Sequence, residues 1–264
     1  MATLVSFHAH PDDECIVSGG VMRKAADEGH RVVLVVATRG EHGEVEDHFL
    51  ADGEPLWHRR VAETLASAKI LGAQRTEFLG YVDSGMMGEP TNDEPGSFWT
   101  ADVPEAAERL AAILREERAD VLTVYDDNGN YGHPDHIQVH RVGLLGAELA
   151  GTPRVFQQTM NRDQMIRGMQ AFVDRARAAG QQVPDPRDFE SMGKPESELT
   201  AAVDVSAYVE TKRAAMRAHA SQIGDQSDFL TMPDDAFRYA FGTEWAIRAG
   251  QGPGITETDL LAGL

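Results

Sequence analysis

Residues 4–14 read LVSFHAHPDDE. An apolar run of strand type ends there in two histidines, a proline and three acids, where a buried strand ought to hand over to a helix. Four more apolar runs follow: RVVLVVAT (31–38), TEFLGY (76–81), DVLTVYD (120–126) and PRVFQQT (153–159). Longer stretches with helical spacing separate them. Such alternation predicts an α/β fold, a Rossmann-like and mostly parallel sheet flanked by helices. Helices are expected over about Asp12–Glu28, Leu56–Leu71, Glu105–Glu117 and Asp135–Ala150, with Gly29, Gly72 and Gly151 as stops after three of them. In sheets of this class, sites gather in the loops at the carboxyl ends of the strands.

The 264 residues are enough for one large core, and 1–264 reads as a single catalytic domain. Gly80–Asp102 reads as a long loop, and 161–200 as a variable insertion or lid, helical at first and then polar and proline-containing. With 43 acids against 24 bases the net charge is −19, a poor match for nucleic acid or an anionic membrane. No run approaches 18 apolar residues, and the N-terminus carries neither a basic leader nor a cleavage site, so a cytoplasmic address is expected. A homo-oligomer is compatible with this composition. One cysteine, Cys15, permits neither an internal disulfide nor a Cys-based zinc site, so a tightly held metal must rely on His, Asp and Glu. Neither G-x-G-x-x-G nor G-x-x-x-x-G-K-[ST] occurs where a nucleotide would need it.

His10-Pro11-Asp12-Asp13 and His133-Pro134-Asp135-His136 share a spelling, each after an expected strand. If the first histidine of each is an N-cap, proline falls at N1, where its missing N–H is harmless. Helix capping explains proline and aspartate, but not histidine at both caps, nor a histidine at N3, where the helix dipole disfavours positive charge. Two imidazoles and one carboxylate from His10, Asp13 and His136 would instead suit a divalent cation with open positions, zinc or equally Fe(II). Asp12 is left free to take a proton from a water attacking a carbonyl. Tyr131 and His133 are the nearest donors for the resulting oxyanion, and Asp135 is a candidate to keep His133 oriented or protonated.

AHPDDE followed by YGHPDH resembles the signature of the PIG-L/LmbE-like zinc-dependent N-deacetylases, which include the deacetylase and the conjugate amidase of mycothiol metabolism. The resemblance implies a Rossmann-like fold and removal of an acetyl group from an N-acetylated amino sugar or sugar conjugate. It also implies His10, Asp13 and His136 as metal ligands and Asp12 as general base. His133 would be an acid or oxyanion stabiliser, and Tyr131 a mobile oxyanion contact. TRGEHGEV (38–45), RRVAE (59–63) and VDSGM (82–86) extend it, with Glu44, Arg60 and Asp83 as expected substrate contacts. VDVSAYVETKRAAMRAHASQI (203–223) is similar to a strand-helix segment of the family, in which His219 falls near the pocket, with a buried, hydrogen-bonded helix histidine as the equal alternative. Val17 departs from both mycothiol enzymes, which carry a small polar or a basic residue there. Cleavage of a mycothiol-type conjugate and non-catalytic sugar or metal binding are the competing readings. His8 is expected to be structural, and Cys15 a small buried filler.

Overall fold

The computed structural model describes residues 1–46, 48–178 and 190–264. Among them seven strands form one sheet: β1 (Thr3–His8), β2 (Arg31–Val36), β3 (Arg75–Phe78), β4 (Val121–Tyr125), β5 (Arg154–Thr159), β6 (Ala201–Asp204) and β7 (Thr243–Arg248). Their order is β3-β2-β1-β4-β5-β7-β6. The first five are parallel, while β7 runs antiparallel to both β5 and β6. The mostly parallel α/β sheet is therefore as expected, with β7 as an unread addition. TEWAIR carries charge at both ends of its apolar centre, so its alternation is too short to announce a strand.

The helices are α1 (Gly19–Asp27), α2 (Leu56–Leu71), α3 (Val103–Glu117), α4 (Gly129–Gly132), α5 (Pro134–Ala150), α6 (Arg162–Ala178), α7 (Val209–Ala218), α8 (Asp228–Thr231) and α9 (Asp234–Phe241). On one face of the sheet Leu4, Leu34 and Val36 pack with Met22 and Ala25 of α1 and Met216 of α7. On the other, Val5, Phe7 and Val35 pack with Leu110 and Leu114 of α3 and Val142 of α5. Burial on both faces is why β1 and β2 read as continuous apolar runs. Gly72 and Gly151 close α2 and α5 in the left-handed conformation that favours glycine. Within the expected insertion, α6 occupies Arg162–Ala178 and Lys194 bridges back to Asn161. Its polar, proline-containing centre at 179–189 lies outside the described residues. Among the described residues no helix is long and apolar enough to cross a membrane.

The first motif does not open a helix in the expected register. Asp12 takes φ +98°, Glu14–Ser18 forms a single π-helical stretch, and α1 begins only at Gly19. His10 is thus not an N-cap. His133 is one, and its ring accepts the Asp135 N–H at the start of α5.

Far from these loops, Glu117 at the end of α3 accepts from Arg31 and, at 2.7 Å, from Arg75. Arg31 foremost, and then Arg75, hold its carboxyl at about 2 against an ordinary 4.5, although burial opposes them. A depressed carboxyl stabilises the fold above its unfolded pKa and loses that contribution as pH falls through the folded one. E117Q is therefore expected to lower the unfolding free energy by about 1–2 kcal/mol at pH 7, since both arginines are partly solvated. The difference from wild type should fade between about pH 4.5 and pH 2 in urea titrations, and a pH-independent difference would refute this.

Candidate metal centre and active site

The strand order reverses between β1 and β4, and the crevice beyond their carboxyl ends receives both histidine motifs. His10 lies two residues past β1. Its Nε2 is 3.1 Å from Asp135 Oδ2 and 3.4 Å from Asp83 Oδ1, and its Nδ1 is 3.5 Å from Asp13 Oδ2. Burial opposes charge on this ring, but Asp83, Asp13 and Asp135 outweigh it and hold its pKa well above the ordinary histidine value. Asp13 Oδ2 also lies 3.4 Å from His136 Nε2 and accepts the His10 amide N–H at 2.8 Å. Burial pushes the Asp13 carboxyl up, and His136 and His10 more than reverse it. The expected ligands His10, Asp13 and His136 thus converge.

His136 sits in the first turn of α5 because Pro134 and Asp135 start that helix, and the Tyr125 ring stacks on it at 4.4 Å. Gly129 makes room for it: a Cβ there, at φ +59°, would stand 2.6 Å from His136 Cβ. Both ring nitrogens of His136 are buried without a hydrogen-bond partner, a condition costing about 1–3 kcal/mol per unsatisfied group. His10, His133 and His136 each bring a ring nitrogen within 4.8 Å of the others. Unpartnered imidazole nitrogens facing a carboxylate are a donor set that fits a divalent metal ion.

Asp12 stands beside this set on the turn after β1. A non-glycine residue at φ +98° stores about 1–3 kcal/mol, so surrounding contacts must fix it. Arg60 does so from α2, donating to Pro11 O at 2.6 Å and Gly40 O at 3.0 Å and reaching Asp12 Oδ2 at 3.3 Å. Burial raises the Asp12 carboxyl's pKa, and Arg60 opposes it in part.

Arg60, only 4% exposed, holds the Pro11 and Gly40 carbonyls and reaches Asp12, while its buried Nε has no partner among the described residues. Two other expectations need correction. Asp83 is buried against His10, where its carboxyl is held well below the ordinary range by His10 against burial, so it is not an open sugar-hydroxyl acceptor. Asp135 does not orient His133 through its side chain. Its carboxylate accepts from Ser84 N at 2.9 Å and the Ser84 hydroxyl and approaches His10, while its backbone N–H is what donates to His133 Nδ1 at 3.1 Å.

That bond fixes the tautomer, because an accepting Nδ1 leaves the ring proton on Nε2. Burial, with His10 and His136 close by, depresses the His133 pKa to about 3. His133 is accordingly a neutral donor. Tyr131 is 42% exposed at the mouth, its ring 5.0 Å from that of His136 and 6.2 Å from that of His133. Its turn is braced by Asp126, whose Oδ1 accepts from Asn128 and Asn130. Glu44 is exposed, and its carbonyl accepts from Gln222 at 3.0 Å. Residue types and spacing did not single out Tyr125, Ser84 or Ser67, whose only signal is position near a motif. His8, expected to be structural, is buried and bonded to Ser6, Ser18 and Tyr125. Cys15 is buried as expected, with its thiol 2.9 Å from Asp12 O.

The family model described as "PIG-L: GlcNAc-PI de-N-acetylase" matches residues 5–145. A 1D-myo-inositol 2-acetamido-2-deoxy-alpha-D-glucopyranoside deacetylase of Nocardiopsis dassonvillei is 41% identical, covering 97% of this chain and 99% of its own. Among solved structures, the N,N'-diacetylchitobiose deacetylase of Pyrococcus horikoshii superposes with TM-score 0.59 at 23% identity, covering 93% of this chain and 83% of that one. The 4-carboxy-2-hydroxymuconate hydratase GalB of Pseudomonas putida does so with TM-score 0.57 at 17% identity, over 98% and 99%. One fold thus carries different reactions, and the reaction has to be argued from the site.

Proposed function

Because this chain belongs to the PIG-L family, we propose that it is a zinc-dependent hydrolase, a single catalytic domain over residues 1–264. It removes the acetyl group from an N-acetylated amino sugar joined to a small polyol, the substrate type named for its 41% identical relative. The observation that carries this reading is the convergence of His10, Asp13 and His136, with both His136 nitrogens unpartnered, beside a strained Asp12. A divalent cation held by these three residues supplies Lewis-acid polarisation of the amide and lowers the pKa of a water molecule.

The protein's own groups do the rest. Asp12 accepts a proton as the water oxygen bonds to the acetyl carbon, and Arg60 keeps its carboxylate aimed. His133, donating from Nε2, hydrogen-bonds the carbonyl oxygen as negative charge collects there, and Tyr131 closes over it from the mouth. The C–N bond then breaks, the proton passes to the departing nitrogen, and acetate and a free amine result. Asp135 and Asp83 keep the His10 ring in place.

Acetate release from 2-acetamido-2-deoxyglucosyl-inositol and from N-acetylglucosamine tests the proposal, with protein loaded with zinc or Fe(II) or stripped by chelator. Release by loaded protein that stops on chelation is expected. No acetate from either compound with either metal would overturn the reading.

A further inference from the structure

The two motifs begin with the same three residues yet fold differently. At 133–136 the Asp135 N–H turns back to His133 and a regular helix starts at Pro134. At 10–13 the Asp12 N–H instead donates to Glu14 Oε2 at 3.0 Å, and Asp12 takes its positive φ. The second motif is followed by Ile137, which has no carboxylate to offer. Glu14 is itself fixed from two other parts of the chain. Its Oε1 accepts from His219 Nε2 at 2.6 Å and from Ser67 Oγ at 2.5 Å, and Glu14 and His219 are both fully buried.

Ser67 lies seven residues after Arg60, two turns on along the same face of α2. One helix therefore holds the Asp12 carboxylate with Arg60 and the anchor of the Asp12 backbone with Ser67. His219 arrives just past the end of α7, where its carbonyl accepts from Gln222 and Ile223 and locks the turn. We infer that Glu14, His219 and Ser67 form a clamp that holds Asp12 in its reactive conformation, His219 acting as a positioning residue through Glu14. This rests on Asp12 being the base.

The test is a double-mutant cycle on acetate release. H219L removes the donor and is expected to lower kcat about 10–100-fold, the range for lost orienting partners, with KM and bound zinc little changed. H219Q, which keeps an N–H of similar reach, should recover most of the rate. In a D12N background H219L should cost less than about threefold, because nothing remains to be positioned. Equal losses in both backgrounds, no rescue by H219Q, or loss of zinc would overturn the clamp. Should H219L not fold, Ser67→Ala removes the other donor on the same oxygen and is read the same way.

Hydrogen exchange at the Asp12 amide judges the clamp without activity. It should speed up at least about tenfold in H219L and not in H219Q. A D12N enzyme of wild-type rate would reject the base assignment, and the exchange result would still decide the clamp.

Discussion

Asp12→Asn is expected to lower kcat for acetate release by about 10²–10⁴-fold, the usual contribution of a general base. The amide has nearly the shape of the carboxylate, so the loss reports proton acceptance rather than a hole. KM should change little, because no part of the expected sugar site is touched, and a kcat-confined loss marks an interaction made only in the transition state. Bound zinc should stay near one per chain, since His10, Asp13 and His136 converge without Asp12. Folding stability should not fall, because burying an amide costs less than burying a carboxylate whose one ionic partner, Arg60, stands 3.3 Å away. Wild-type turnover in D12N would remove Asp12 from the chemistry. Loss of zinc with activity would instead make Asp12 a ligand.

Of the five parallel strands, β1, β2 and β4 are legible in the sequence because both faces of each are buried, which forces apolar runs such as Val32–Val36. Leu56–Leu71 is legible to the residue because Pro55 and Gly72 bracket it. The convergence of His10 and Asp13 with His136 is legible for a chemical reason: proline and aspartate have a capping explanation, whereas histidine at N3 is left without one. What stays hidden depends on contacts made across the chain. Arg60 reads as a substrate contact, and only the fold shows it turned inward onto Pro11 and Gly40. Asp135 looks like a partner for its neighbour His133, yet Ser84, 51 residues away, claims its carboxylate. Glu14 carries no signal of its own in the sequence, and only the fold shows His219, 205 residues on, bonded to it. His133 and His10 share a motif, but burial beside two other rings lowers one pKa while three carboxylates raise the other.

His136→Leu should separate metal binding from folding, with opposite signs for the two. A cation bound only by the folded chain at a hundredfold excess over its Kd adds about 2.7 kcal/mol. For a chain of this length that raises Tm by roughly 5–10 °C at about 2–4 °C per kcal/mol. Wild type should show that rise when zinc is added after chelation, and H136L should not, because one of its three converging ligands is gone. Zinc affinity should fall by more than the roughly 10–100-fold that loss of an outer-sphere partner produces. The metal-free proteins should rank the other way. Wild-type His136 is 1% exposed with both nitrogens unpartnered against the Tyr125 ring, and leucine replaces those polar atoms with apolar volume. Asp13, 3.4 Å from His136 Nε2, loses that contact but keeps His10; relief of about 1–3 kcal/mol of unsatisfied burial is available to offset this and imperfect packing, so chelated H136L should melt at or above chelated wild type. Calorimetric melts of both proteins, with zinc and with chelator, decide the matter. A zinc-induced rise that survives in H136L would show that the cation is held by other residues, and a chelated H136L melting far below chelated wild type would show that His136 is a satisfied core residue rather than a ligand awaiting its metal.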